Sequence, residues 1–181
     1  MPSNWLNLPR QMPLSVWIGS PTSLGLNVLN ANGTNNANGL IGASNVLLYQ
    51  ATVTETYRVR RLWWLNGSPV SGNVDVGVFD ASGAKLVSTG STAQSGASTI
   101  QSVAVDFTLG VGSYWVGIAG SSATASFASF SFTGSPMIRD GTGIAMHVTV
   151  GSAVPLPSQL TLSSNLVYQI PTFGFSRLTS I

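Results

Sequence analysis

The chain has 181 residues, of which 44% are hydrophobic and only 7% are charged, and its formal net charge is +2. The charged fraction lies far below the roughly 25% of ordinary globular proteins, and the basic residues form no stripe of the kind that nucleic-acid binding requires. The absence of cysteine excludes disulfides and thiol chemistry, and a neutral, hydrogen-bonding surface suits permanent protein contacts or neutral sugars.

The N-terminal segment, residues 1–44, differs in composition from the rest of the chain. It contains a Gly/Asn-rich stretch over residues 30–39, which cannot bury enough apolar area to form a core alone. Trp5, Leu8 and Trp17 nevertheless make the segment too apolar for a solvated tail. We therefore predict an extended N-terminal arm over residues 1–44 that docks onto its own domain or onto a neighbouring subunit, and one domain over residues 45–181.

The chain shows no targeting or membrane-spanning signal. Its first residues lack a basic region followed by a long apolar run, so no signal peptide is predicted. No window approaches 18 consecutive apolar residues, the length that a membrane-spanning helix needs. We expect no membrane partner and synthesis in a cytoplasm.

From about residue 45 onward, apolar residues alternate with polar ones. Between these runs lie turn sequences such as Asp80-Ala81-Ser82-Gly83. Short alternating strands separated by turns predict an all-β fold, an antiparallel β-sandwich or jelly roll with little helix. The alternating apolar sets are Val74/Val76/Val78, Val103/Val105/Phe107, Tyr114/Val116/Ile118 and Ile144/Met146/Val148/Val150.

The segment Tyr57–Trp64, YRVRRLWW, is the densest group of basic and aromatic residues. Strict alternation would place Arg58 and Arg60 on one face with Leu62 and Trp64. The other face would carry Tyr57, Val59, Arg61 and Trp63. Such a group fits three roles: a strand at the sheet margin with arginine stems over rings, a subunit interface, or a ligand site. We therefore take Arg58, Arg60, Trp63 and Trp64 as candidate partner-binding residues, together with Trp5, Leu8 and Trp17 of the arm.

Few side chains could support catalysis. His147 is the only histidine, and the sequence contains no Gly-x-Ser-x-Gly elbow. Asp80 and Asp140 lie in glycine-containing turns, where aspartate caps its own backbone, and Asp75 and Asp106 are expected to pair with Arg or Lys. The sequence shows no metal-ligand cluster or phosphate-binding loop. We therefore predict no enzymatic activity, metal or cofactor.

Two stretches carry a family resemblance: Gly72–Val87, GNVDVGVFDASGAKLV, and Val105–Ala119, VDFTLGVGSYWVGIA. Together with the residues between them they resemble the β-sandwich modules of tailed-bacteriophage virion proteins, over about 50 of the 181 residues. The pattern is structural: a tight turn with a left-handed glycine, then Tyr114 and Trp115 with rings on opposite faces, one in the core and one near the surface. It carries no catalytic residue.

The resemblance implies a virion structural protein assembled in the host cytoplasm. The leading expectation is a capsid decoration (cement) protein, a homotrimer that binds the major capsid protein or another virion protein. The alternative is a tail-fibre or receptor-binding protein in which exposed Trp63, Trp64 or Trp115 stacks on host-surface glycan. A glycan depolymerase ranks third, and a secreted adhesin would require a signal peptide. The aromatic segment Pro171–Phe175 either completes the sandwich or reaches a neighbour.

Overall fold

The computed structural model describes residues 43–53, 55–131, 145–162, 169–171 and 173–177, with the backbone alone at 129–131, 145–147 and 169–171. Except for Ala43 and Ser44, the predicted arm lies outside the described residues. No helix that could cross a membrane is found in these ranges. They contain the following β-strands: β1 Asn45–Val53, β2 Tyr57–Leu65, β3 Asn73–Phe79, β4 Lys85–Ser88, β5 Thr92–Ala93, β6 Ile100–Leu109, β7 Gly112–Gly120, β8 Ser129–Ser131, β9 Ala145–Thr149, β10 Gln169–Pro171 and β11 Phe173–Ser176.

The larger sheet has the strand order β4-β3-β7-β1-β9, and β5 pairs with β3 beside β4. All of its pairings are antiparallel, and β1 and β7 remain in one register from Val46 opposite Ala119 to Val53 opposite Gly112. Alternation of apolar residues along β3 and β7 is what an antiparallel pair with one face in the core requires.

The smaller sheet has the order β11-β2-β6, again antiparallel, and the short strands β8 and β10 pair separately. It packs face to face with the larger sheet, so the predicted all-β antiparallel sandwich is confirmed. The C-terminal segment completes this sandwich, since Phe173 and Phe175 on β11 are buried opposite Trp64 and Leu62 of β2.

The inner core lies between the two sheets. Val74, Val76 and Val78 point into it and are fully buried, as the alternation predicted. One aromatic pair connects the two sheets, since the rings of Tyr49 on β1 and Phe173 on β11 are 5.0 Å apart, and a second pair lies within the smaller sheet. The Tyr57 and Phe175 rings meet edge to face at 5.3 Å. These aromatic contacts add to the area burial that stabilises the sandwich.

A second apolar cluster covers the outer face of the larger sheet. An irregular segment, Val150–Leu162, here called the strap, crosses this face and buries Ala153, Leu156 and Leu160. These side chains pack on Leu48, Phe79 and Trp115, which point to the outer face of the larger sheet. The residues next to them along each strand point into the inner core. Trp115 is therefore only 8% exposed. Tyr114 on the opposite face is partly buried and its hydroxyl lies at the surface, so one ring of the pair is buried and the other lies near the surface, as expected.

Hydrogen bonds from strand residues fix the strap. Asp75 is fully buried and its Oδ2 accepts from the Leu156 backbone N–H at 2.8 Å. Lys85 uses its backbone N–H to bond the Ser158 carbonyl and its Nζ to bond the Leu156 carbonyl. The remaining described partners of Asp75 are the hydroxyls of Ser88 and Thr89. The expectation that Asp75 pairs with Arg or Lys is therefore wrong. The strap covers the outer face of the sheet, so the carboxylate of Asp75 accepts hydrogen bonds from the strap's backbone and from neighbouring hydroxyls.

The turn between β3 and β4 has the predicted structure. Asp80 Oδ1 accepts from the backbone N–H groups of Ser82 and Ala84 at 2.8 and 3.0 Å. The same oxygen also accepts a hydrogen bond from the Ser82 hydroxyl. This bond is the largest of the contributions that lower the pKa of Asp80 below its usual value. Gly83 has a φ of +87°, the left-handed conformation that favours glycine. Asp80 is thus a capping residue, as expected.

Candidate functional site

The candidate surface lies on the outer side of the smaller sheet, where β2 and β6 carry arginines. Val59 pairs with Phe107 and Leu62 with Val103, so Arg60 and Arg61 of β2 stand opposite three residues of β6, 104–106. This irregularity shifts the phase of β2 by one residue. Arg60 and Arg61 consequently both avoid the core, and Arg58, Arg60 and Arg61 line one side of the sheet.

The strict alternation predicted for β2 is wrong beyond Val59 for this reason. Leu62 and Trp64 do not share a face with the arginines; both are fully buried in the inner core with Tyr57 and Val59. The sequence of β2 gives no sign of the phase shift, since the extra residue lies on β6.

Asp106 holds two of the arginines in place. Arg58 forms a bidentate pair with it, Nε to Oδ1 at 2.8 Å and Nη2 to Oδ2 at 2.7 Å, and Arg60 Nη1 donates to Oδ2 at 3.2 Å. The expected pairing of Asp106 with arginine is thus confirmed. The hydrogen bond from Arg58 is the main cause that lowers the pKa of Asp106, and the same bond raises the pKa of Arg58. A bidentate pair fixes the plane of the guanidinium as well as its position.

The group is accessible and carries excess positive charge. The side chains of Arg58 and Asp106 are 57% and 56% exposed and that of Arg60 is 35% exposed. Arg61 lies beside them and its Nη1 donates to the Ser102 hydroxyl at 3.0 Å. We call these five residues, Arg58, Arg60, Arg61, Ser102 and Asp106, the arginine face. Three guanidinium groups accompany one carboxylate there, in a chain with so few charges that this is a strong local concentration.

A fourth arginine lies at the end of the same sheet. Arg177, which follows β11, stacks over the Tyr57 ring at 4.2 Å and its Nη2 pairs with Glu55 Oε1 at 3.0 Å. Sequence reasoning missed Arg61 and Arg177. Arg61 depends on the phase shift, and Arg177 depends on a contact with Glu55, 122 positions away along the chain, that no local pattern records.

The candidate tryptophans do not form part of this exposed surface. Trp64 is fully buried and its Nε1 donates to Asn66 Oδ1 at 2.8 Å. Trp63 is 9% exposed, and Trp115 belongs to the outer cluster. The expectation that Trp63, Trp64 or Trp115 presents an exposed ring for stacking is therefore wrong for this structure. Their rings contribute to packing.

Three of the candidate partner-binding residues, Trp5, Leu8 and Trp17, lie outside the described residues, as does Asp140. The strand that carries His147 is present as β9, but its side chain is outside the described part. Within the described ranges, no group of three or more His, Cys, Asp or Glu residues could hold a metal ion. A scan against models of protein families found no matching family, and searches of curated proteins and of solved structures found no match.

Proposed function

We propose that this protein is a non-enzymatic bacteriophage virion structural protein, a capsid decoration (cement) protein that binds the major capsid protein. The observation that carries the proposal is the arginine face, a set of exposed guanidinium groups held on a β-sheet by Asp106. The resemblance of Gly72–Val87 and Val105–Ala119 to phage virion modules supports the same assignment.

The arginine face has the properties of a docking surface. Arginine is enriched at binding hot spots because its planar group combines a large contact area with several hydrogen bonds. Ordering a long side chain on binding costs about 0.5–1.5 kcal/mol. Asp106 reduces that cost for Arg58 and Arg60, because it already fixes their guanidinium groups. The surface therefore suits a partner that presents carboxylates or backbone carbonyls.

The N-terminal arm would supply the second contact. Its apolar residues Trp5, Leu8 and Trp17 stand in a segment with a single charge, Arg10. An arm that orders on its partner incurs an entropy cost but can cover a large area. Binding through both the arm and the arginine face would be multivalent, and so stronger than either contact alone. We expect the functional unit to be a homotrimer.

The first test is the copy number of the protein in purified phage particles, measured by quantitative mass spectrometry. A ratio to the major capsid protein near one, or a simple fraction of it, is expected for a decoration protein. A handful of copies per particle would place the protein in the tail and favour the receptor-binding alternative. Absence from particles would contradict both and favour a secreted adhesin or carbohydrate-binding module.

The second test separates the two contact surfaces. We expect deletion of residues 1–40 to leave a folded sandwich that no longer binds capsids. The double variant Arg58→Ala/Arg60→Ala should weaken binding and reduce its dependence on salt. Lys85→Gln is the matched control, since it removes a cation from the larger sheet but keeps a side-chain donor for the Leu156 carbonyl. Unimpaired capsid binding by the truncated chain would contradict the role of the arm.

A further inference from the structure

One edge of the smaller sheet is open among the described residues. β6, Ile100–Leu109, ends the order β11-β2-β6, and β2 is the described strand that pairs with it. Among the described residues, the backbone of residues 100–109 forms no hydrogen bond to the turns and loops that surround the sheets. Such an edge presents a row of unpaired N–H and C=O groups, which proteins normally cover, twist away or keep short. β6 is ten residues long.

The side chains beside this edge form an apolar seam. Val103, Val105 and Phe107 pack against the inner core but remain partly exposed, as does Val87 on β4. Gln101 Nε2 donates to the Ala93 carbonyl at 2.7 Å, so β6 runs along the side of the sandwich that β4 and β5 form. In contrast, the core valines at the centre of the larger sheet are fully buried. Within the described part of the chain, no strand closes the sandwich on this side.

The N-terminal segment contains a sequence that fits the seam. Leu24, Leu26 and Val28 alternate with Gly25 and Asn27, the period-two pattern of a strand with one apolar face, before Leu29 ends the alternation. Residues 24–29 carry no charge, so none would be buried by pairing with β6.

The chain is also long enough for this contact. Ala43 and Ser44 bond the backbones of Ala153 and Val150, so the segment joins the domain beside β9, at the far side of the larger sheet. Strands lie about 4.8 Å apart, so the sheet from β9 to β4 is roughly 20 Å wide. Residues 30–42 can span up to about 45 Å when extended. The chain's own segment can thus reach β6, and a tethered segment binds at a high effective concentration.

We propose that residues 24–29 of the chain's own N-terminal segment add as a strand to the free edge of β6. Leu24, Leu26 and Val28 cover the seam beside Val103 and Phe107, and the backbone satisfies the edge of β6. This inference does not depend on the proposed function. It leaves residues 1–23 beyond the domain, where they remain available to a partner.

Disulfide trapping in the full chain tests the proposal, since the protein has no cysteine of its own. A cysteine at Gly25, Asn27 or Leu29 is combined in turn with one at Ala104 or Thr108, exposed residues of β6. Directly opposed residues of paired strands lie about 4.5–5.5 Å apart at Cα, within disulfide range. We expect at least one combination to form an intramolecular disulfide under mild oxidation.

The same N-terminal cysteines combined with Thr149→Cys on β9 form the control, because that exposed residue lies close to where the segment joins the domain. We expect cross-linking to β6 at least tenfold faster than to this control. Equal rates, or no cross-link to β6 in any combination, would overturn the proposal. Cross-linked dimers on a non-reducing gel would overturn the assignment to the chain's own segment.

Hydrogen exchange provides an independent measurement. Leu26→Asp would place a charge in the seam, so we expect the amides along the outer edge of β6 to exchange at least tenfold faster than in the unaltered chain. Asn27→Asp introduces the same charge at a neighbouring position that faces solvent, and should leave the exchange unchanged. Equal exchange of the β6 amides in both variants would contradict strand addition.

Discussion

The two faces of the larger sheet are buried in different ways. The inner face packs on a second sheet, so apolar side chains meet apolar side chains and the neighbouring strands within each sheet pair with one another. The outer face packs on the strap, which has no strand ladder of its own over Val150–Leu162 apart from a single bridge at Gln159. Its backbone groups are bonded instead by Asp75, Lys85, Gly83 and Ser44.

The difference shows why the two faces tolerate different residues. Where one sheet packs on another, the strands need only alternating apolar side chains that fill the space between the sheets. Val74, Val76 and Val78 meet both requirements. A sheet against irregular backbone must also provide hydrogen-bond partners, because a buried N–H without one costs free energy. Asp75 and Gly77 on the outer side of β3 meet this need: Asp75 accepts from Leu156, and Gly77 leaves room for its side chain.

The largest expected effect compares one tryptophan from each face. Trp64→Ala should lower the free energy of unfolding by about 5 kcal/mol and Trp115→Ala by about 3 kcal/mol, the two ends of the usual range for large core truncations. Trp64 lies between two paired sheets that cannot collapse around the cavity, whereas the strap over Trp115 can adjust. Urea denaturation of both variants measures this. An equal or reversed order would contradict the comparison.

The hydrogen bond from Asp75 to the strap is the next test. Asp75→Ala would leave the Leu156 N–H without its partner in a buried position, and should cost about 3 kcal/mol. Asp75→Asn retains an oxygen that can accept this bond, so it should cost clearly less. Urea denaturation gives the stability and hydrogen exchange at the Leu156 amide reports the bond itself. If both variants lost the same stability, the bond to Leu156 would not be the cause.

A methyl group at Gly77 tests the packing of the strap. A Cβ there would lie 2.8 Å from Leu156 Cδ1 and 3.0 Å from the Val87 carbonyl oxygen. We expect Gly77→Ala to cost about 2 kcal/mol, since overpacking forces neighbouring groups to move. Gly151→Ala is the matched control within the strap, because a Cβ at that position meets no atom within 4 Å. If Gly77→Ala left the midpoint of thermal denaturation unchanged, the strap would be loosely packed on β3.

The smallest effect concerns Tyr49 on the inner face. Burial, and to a lesser extent the charge of Tyr57, raises the pKa of Tyr49 well above its usual 10.0. The unfolded chain therefore ionises this phenol first, and the stability that Tyr49 contributes is complete below pH 10.0 and is lost as the pH rises above it.

Tyr49→Phe cannot ionise, and it loses the hydrogen bond to the Phe173 carbonyl at 3.2 Å. We expect a loss of about 1 kcal/mol at neutral pH and a shallower decline of stability in alkali. Urea denaturation at neutral pH and above the ordinary tyrosine pKa compares the two. An unchanged slope in alkali would show that another group controls that decline.

Sequence patterns predicted one face of the sandwich better than the other. The prediction was correct for the burial of Val74, Val76 and Val78 and for the turn at Asp80–Gly83, because alternation and turn chemistry depend on neighbouring residues. The strap was not predicted, since residues 150–162 have no period that would indicate burial. Within the candidate site, Arg58 and Arg60 were named and Asp106 was expected to pair with Arg or Lys, whereas the identity of its partners and the burial of Trp63 and Trp64 were not predicted.

The sequence by itself determined the class of fold, the antiparallel strands and the capping role of Asp80, since each depends on residues only a few positions apart. The tertiary structure alone decided which face of β2 carries Arg61, what covers Trp115 and what bonds Asp75. Those outcomes depend on an extra residue in β6 and on a strap whose Leu156 lies 81 positions from Asp75 along the chain. Contacts at such separations are set by how the sheets and the strap pack together, and periodicity within a single strand does not contain that information.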